Sequence, residues 1–455
     1  MSVKTAEYVP LTVKEKCVRC LKGPNLIRSL ILLVCFVLVV EQLTSCVQKI
    51  IRIPITTYTH FEFNKTLLYP SLTFCREPPY KYNQLAKYGM YVHPYYTSTW
   101  RNFDFDNVSL DEFWEDVTYK HDDIFVVYGL DGESTNIQPK SVDSLKHGRC
   151  YTLEPSTLVT RASKTTGYSI TLQHSVQDFG AFISLHPPGY HVFIHYKEEP
   201  FTEIEVHNAG LIDYLYIHSG EEIDVKLTVD QYFKLSDDDD PCTDDRNYSA
   251  NLCATELVSR QVGAAVGCSG PWMHPATPRC GNYSAMKTLI SSYMQQTEGP
   301  DFALGTCPRF CLSYLYNAFV VDRQRNYWWD GPNRAWAARS GEVALQTQMF
   351  IHFNSMMVSF YEERHNYDWN LFLSDLGGSV GFLLGLSVVS LMSIFGKVFS
   401  TVKEVAKSSK STRDASSVAN STVKITEDDK PRRDRDADYV KKCKEWNARN
   451  ERLDI

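Results

Sequence analysis

The chain has 455 residues, 43% of them hydrophobic, and its 47 basic and 54 acidic side chains give a formal net charge of -7. That length accommodates more than one structural unit, and the balance of charge offers no broad basic footprint, which excludes nucleic acid as a partner. Thirteen cysteines are many for a cytosolic protein, and a mildly negative mean hydropathy confines any membrane content to a few segments.

From the N-terminus, the first feature is the pair Cys17-Val-Arg-Cys20. Its spacing suits a metal or a redox pair, but with no second pair nearby reduced thiols beside a membrane are expected. An apolar segment follows at 26–48, in which Ser29 to Gln48 carries Glu41 as its only formal charge. It has about the 20 residues needed to cross a hydrocarbon core of about 30 Å. No short apolar stretch with a small-residue cleavage site precedes it, so an uncleaved anchor is expected. A second span is expected at 371–397, where Leu376 to Gly396 is uncharged between Asp375 and Lys397.

Lys14, Lys16, Arg19, Lys22 and Arg28 precede the first span, and Lys397, Lys403, Lys407 and Lys410 follow the second. The positive-inside rule then puts residues 1–25 and 398–455 in the cytoplasm and residues 49–370 outside. The glycosylation sequons at Asn64, Asn107, Asn247 and Asn282 all fall in that outer segment, as do eight cysteines. A fifth sequon at Asn420 falls on the cytoplasmic side and reads as chance. The tail after about Lys403 is rich in Ser, Lys, Arg and Asp, a composition that predicts disorder.

Within the outer segment, GYSITLQ and YHVFIHY alternate as strands do, and SAMKTLISSYMQQ has a helical period. The fold class is therefore an α+β membrane protein, with two transmembrane helices flanking a large disulfide-rich extracellular domain. Cys75, Cys150, Cys242, Cys253, Cys268, Cys280, Cys307 and Cys311 suggest four disulfides, for which residues alone permit 105 pairings. Zinc at Cys307 and Cys311 is the competing reading, and the oxidising setting favours disulfides. The acidic run Asp237 to Asp240, with Asp244 and Asp245, suits Ca²⁺ or proton sensing, against the plainer reading of a solvated loop. His186, His191 and His195 lie near a predicted strand, where histidines are more often structural than ligands.

In the second apolar segment Gly377, Gly381 and Gly385 recur every four residues, forming a stripe that lets neighbouring backbones approach. Ser387, Ser390 and Ser393 add hydroxyls in the inner half. Polar groups at membrane depth suit a partner helix or a water-filled path, so helix packing and pore lining both fit.

The run Gly377-Gly378-Ser379-Val380-Gly381-Phe382-Leu383-Leu384-Gly385-Leu386-Ser387 resembles the second-span signature of the degenerin/epithelial sodium channel family. Further matches are YPSLTFC at Tyr69 to Cys75, GRCYTL at Gly148 to Leu153, GYHVFIH at Gly189 to His195, and the cysteine-rich stretch from Tyr248 to Cys311. The chain also resembles the insect pickpocket branch. The resemblance implies a trimeric, sodium-permeable and amiloride-sensitive cation channel, a homo- or hetero-trimer of related subunits in the plasma membrane, gated by an extracellular or mechanical stimulus and sensory in setting.

By the same resemblance Gly385, Leu386 and Ser387 form the selectivity filter, Ser390 and Ser393 line the pore, and Gly377 and Gly378 pack helices. Gly381 falls at the blocker-binding position, and Ser374 and Gly23 at gating positions. The implied disulfides are Cys75–Cys150, Cys242–Cys311, Cys253–Cys307 and Cys268–Cys280. No cofactor, metal or enzymatic activity is implied. Three departures stand out: Ser393 replaces an acid, Lys22-Gly23 replaces His-Gly, and four further cysteines are absent as two whole pairs. The competing class is a two-span glycosylated receptor for a lipid or other ligand, which gives no reason for Gly-x-Ser inside a span. An ATP-gated channel would need clustered lysines, and a hydrolase would need a nucleophile elbow or zinc motif that this chain lacks.

Overall fold

A computed structural model describes residues 24–180, 184, 186–204, 212–237, 240–245, 248–274, 277–298, 306–325, 327–330, 332–338, 341–384, 392–393, 396–397 and 399–400. The chain divides into two units, one formed by Met1–Cys46 with Phe372–Ile455 and the other by Val47–Leu371.

The central unit, Val47–Leu371, is built on two sheets. The first contains β1 (Ile55–Phe63), β3 (Phe125–Leu130), β6 (Tyr168–Leu172), β9 (Glu221–Phe233), β10 (Leu312–Arg325) and β11 (Thr347–His365). Its order is β10-β9-β11-β6-β3, with β1 also paired to β11. The long β11 organises this sheet. One edge runs parallel to β9, while the other meets β6 along residues 347–351 and β1 along residues 357–365. In β9, Ile223, Val225, Leu227 and Val229 are buried and the residues between them are half-exposed. That period of two is what a strand with one dry face requires.

The second sheet contains β2 (Ser71–Glu77), β4 (Ile137–Ser144), β5 (Gly148–Pro155), β7 (Gly189–His195) and β8 (Asp213–His218), in the antiparallel order β8-β7-β2-β5-β4. Every residue of β2 and of β7 is buried. Both sheets feed one core that includes Leu72, Phe74, Tyr168, Ile170, Val225, Leu227, Ile351 and Phe353. At about 25 cal/mol per Å² of buried apolar surface, each such side chain contributes roughly 1.5–3 kcal/mol.

A second core is helical. It draws on α2 (Tyr82–Lys87), α3 (Leu110–Val117), α4 (Ala250–Val266) and α5 (Tyr283–Glu298). Leu110, Phe113, Trp114 and Val117 are the buried residues of α3, a spacing that aims one stripe inward. Ser249 caps α4 by accepting the Leu252 N–H at 3.2 Å, and Gly267 ends it at φ +81°, a left-handed turn that glycine makes without strain. The stretch GYSITLQ contains β6, YHVFIHY falls in β7 and the residue after it, and SAMKTLISSYMQQ lies inside α5.

All eight central cysteines are bonded, as Cys75–Cys150, Cys242–Cys311, Cys253–Cys307 and Cys268–Cys280. Cys307 and Cys311 therefore have no thiolate to offer zinc, which corrects that reading. The physical reason is that a metal needs free thiolates and each sulfur is already covalently paired.

The other unit contributes α1 (Pro24–Ile51), whose last residues reach into the central unit, and α6 (Trp369–Leu384), which begins there. Pro24 starts α1, where its missing N–H has no helical partner to lose.

Candidate functional site

The apolar stretch Leu33–Ile51 of α1 is the one helix among the described residues that is long and apolar enough to cross a membrane. Leu30, Leu33, Phe36 and Val37 are each more than half exposed, an arrangement suited to lipid rather than water. Thr44 returns its hydroxyl to the Val40 and Glu41 carbonyls at 3.0 and 2.7 Å, so that polar group is satisfied within the helix.

Within the central unit, the chain leaving α1 and the chain entering α6 are held side by side. β1 pairs with β11 from Ile55 opposite His365 to Phe63 opposite Met357. The ladder is extended by the Asn366 N–H donating to the Pro54 carbonyl at 2.9 Å and by Lys49 lying over the Tyr367 ring at 5.4 Å. Asp368 then caps α6, its Oδ1 accepting the Leu371 N–H at 2.8 Å.

Along α6, Ser374 is exposed and Gly381 is half-buried. Gly377 and Gly378 are exposed, and a Cβ added at either would meet nothing within 4 Å. Ser393 is helical and exposed. Gly23, Gly385, Leu386, Ser387, Ser390 and Asn247 lie outside the described residues, as do Cys17 and Cys20. Of the remaining sequons, Asn107 and Asn282 are exposed and Asn64 is half-exposed. Asn282 also caps α5 through its Oδ1, which accepts the Ala285 N–H at 2.9 Å.

One contact in this unit is absent from the sequence reading. The Ser379 hydroxyl lies 2.5 Å from Gln42 Oε1 and 2.8 Å from the Asp375 carbonyl, sharing one proton between two acceptors. It joins α1 to α6. The signal was visible as an amide inside an apolar span, since such a group needs a partner at membrane depth.

In the central unit the strand histidines are structural. His195 Nε2 meets Thr73 Oγ1 at 2.8 Å, and its Nδ1 meets the Tyr196 carbonyl at 3.0 Å. His191 lies between Glu77 Oε2 at 3.2 Å and the Tyr214 hydroxyl at 2.9 Å. Burial holds the pKa of His93 and His195 down to about 4. His147 is pushed to about 3, by burial first and then by His191 and other positive neighbours. Arg76 is buried against Asp178, with its Nη1 also donating to the Asp123 and Gln173 carbonyls at 2.9 and 2.7 Å. Of the acidic run, Asp240 pairs with Lys234 and lies 3.7 Å from Arg309. Among the described residues no cluster of His, Cys, Asp and Glu is arranged to hold a metal.

Within Val47–Leu371, the chain that follows α1 and the chain that leads into α6 thus share one antiparallel ladder. The model of the amiloride-sensitive sodium channel family matches residues 16–396. The chain belongs to this family. Membership of the amiloride-sensitive sodium channels, the degenerin/epithelial sodium channel family, implies a plasma-membrane channel assembled as an oligomer and passing ions. It is not a family of enzymes. No match was found among curated proteins. A solved structure, a proton-activated chloride channel determined by cryo-EM, is 8% identical, covers 82% of this chain and 98% of its own, and superposes with a TM-score of 0.30.

Proposed function

We propose that the chain is a subunit of a sodium-permeable, amiloride-blocked trimeric channel, alone or with related subunits, that opens to an extracellular or mechanical stimulus in a sensory setting. The observation that carries this reading is the family match from residue 16 to residue 396, which takes in both apolar segments. In this reading the central unit is extracellular, both termini are cytoplasmic, and the second span runs through 371–397. Gly385, Leu386 and Ser387 form the constriction, where non-helical backbone is tolerated because it faces water rather than lipid. Ser390 and Ser393 line the inner pore, Gly381 contacts the blocker, and Ser374 and Gly23 take part in gating.

Gly377 and Gly378 have open space where a Cβ would project, which suits close approach by another subunit's helix. With Ser393 in place of an acid, the inner pore lacks a carboxylate ring, and conductance falls accordingly unless partner subunits supply the charge.

The test is voltage clamp of Ser374→Val, with surface abundance checked, sodium replaced and amiloride applied. A sodium-dependent, blockable current is the expected result. Normal surface abundance without current would reject autonomous conduction and favour the receptor reading.

A further inference from the structure

The first sheet of the central unit has one dry face and one open face. In β9, Val225, Leu227, Val229 and Gln231 are buried, while Lys226, Thr228, Asp230 and Tyr232 between them are half-exposed on the other side. Residues paired across neighbouring strands share a face, so the register carries this division over the whole sheet. Phe61 of β1 lies opposite Ser359 of β11, which in turn lies opposite Asp230. Phe61 therefore belongs to the open face, and alternation places Phe63 and its partner Met357 there as well. From the far edge, Phe319 of β10 pairs with Lys226 and joins them.

Phe61, Phe63, Met357 and Phe319 are 62%, 78%, 40% and 55% exposed. Single exposed apolar side chains are ordinary, but a group of them on one sheet face marks a surface that something else covers. Lipid tails fit poorly. Lys226 and Asp230 stand on the same face, and a hydrocarbon cover would strip their water without replacing it. Sugars carried by the chain fit poorly too. The four strands β1, β9, β10 and β11 contain no sequon, and the nearest, Asn64, extends the β1 ladder by donating its N–H to the Met356 carbonyl at 3.0 Å. One step past Phe63, its side chain leaves from the opposite face.

A protein surface can meet rings and charges together. Which protein follows from assembly, since members of this family form oligomers. Three residues separate α1 from β1, and three separate β11 from α6. At no more than about 3.6 Å per residue, copies whose spans gather around one ion path bring these strands together as well.

We propose that the open face of the first sheet, through Phe61, Phe63, Met357 and Phe319, packs against a second copy of this chain. The inference rests on the oligomeric channel reading and adds to it the surface that holds the copies together.

The experiment places the photoreactive analogue p-benzoylphenylalanine at Phe63 or Phe319, one at a time, in the full chain expressed without related subunits. Irradiation of intact membranes is expected to give, from each position, a covalent product of two copies identified by mass spectrometry. In parallel, the detergent-solubilised chain is diluted and its oligomers are counted by mass photometry. The double variant Phe61→Ser with Phe63→Ser is expected to dissociate at a concentration at least about tenfold higher, with unchanged thermal unfolding of the dissociated chain. Phe319→Ser replaces it if the double variant does not fold. An oligomer that gives no cross-link from either position overturns this surface and leaves the assembly standing. A lone chain at every concentration overturns both. Cross-linking to a different protein, or a folded variant that dissociates as the unaltered chain does, overturns the proposal as well.

Discussion

Asp178→Ala removes the carboxylate that faces Arg76 inside the central unit. Both side chains are almost fully buried, 4% and 6% exposed. The loss is not confined to the ion pair: Asp178 Oδ1 accepts the Tyr119 hydroxyl at 3.1 Å, and Oδ2 accepts the Ser175 N–H at 2.8 Å. Arg76 would keep its bonds to the Asp123 and Gln173 carbonyls but lose its counter-charge, and a guanidinium cannot shed its proton to escape. Breaking a buried pair from one side costs about 3–5 kcal/mol. That is a large share of the roughly 5–15 kcal/mol by which whole domains are typically stable. The paired change Arg76→Met with Asp178→Leu removes the stranded charge and keeps the volume, while the Tyr119 hydroxyl and Ser175 N–H stay unpaired. It should therefore be more stable than the single variant by about 2 kcal/mol or more. Denaturant unfolding of the purified chain, followed by tryptophan fluorescence with surface abundance measured alongside, reads both values. A double variant as unstable as Asp178→Ala would refute the reasoning, because it would show that the lone charge is not what the single change exposes.

Acid should destabilise the central unit through its buried histidines. His93 and His195 titrate at about 4 and His147 at about 3 in the folded chain, against 6.5 ordinarily, so the unfolded chain binds more protons between those values. Their contribution is complete above pH 6.5 and is lost as pH falls toward the folded values, by about 1.4 kcal/mol per pH unit for each group. Unfolding midpoints that stay constant from neutral pH to pH 5 would contradict this. Gly167→Ala places a Cβ 2.2 Å from the Ile351 carbonyl oxygen and 2.8 Å from His352 Cβ, against the β6–β11 junction. A loss of about 1–3 kcal/mol is expected as a lowered unfolding temperature, and an unchanged one would show that the backbone there yields freely. Gln42→Leu and Ser379→Ala each remove the same link between α1 and α6, worth about 0.6 kcal/mol in a membrane. Each should shift the gating equilibrium about threefold, with no further shift when they are combined; additive shifts measured in single-channel records would mean that the two residues act apart.

Part of this was legible locally. The alternation of GYSITLQ and YHVFIHY and the period of SAMKTLISSYMQQ are properties of neighbouring residues, and the strands and helix lie there. The apolar run behind α1 is equally local, although the helix starts earlier than the expected span, at Pro24. The candidate site was legible only in part. Ser374, Gly377, Gly378 and Gly381 fall on α6 and Ser393 in a helical stretch, whereas Gly385, Leu386, Ser387 and Ser390 lie outside the described residues. Gln42, an amide inside an apolar span, shows locally that it needs a partner, but not that the partner is Ser379, which is 337 residues away in the chain. The Arg76–Asp178 pair went unread for a similar reason: both are ordinary polar residues until packing buries them together.

Adjacent residues settle where apolar runs are long enough for lipid, where side chains alternate or spiral, and that the central cysteines are even in number. Residues alone left 105 pairings for those cysteines. The folded chain carries the four bridges that the family resemblance implied, and tertiary packing alone sets β9 parallel to β11 and makes one β11 edge serve β6 and β1 in turn. It also decided that Arg76 and Asp178 meet in the dry interior. The reason is physical: periodicity is written in successive side chains, whereas a contact that closes a long loop is selected by how all the remaining surfaces pack.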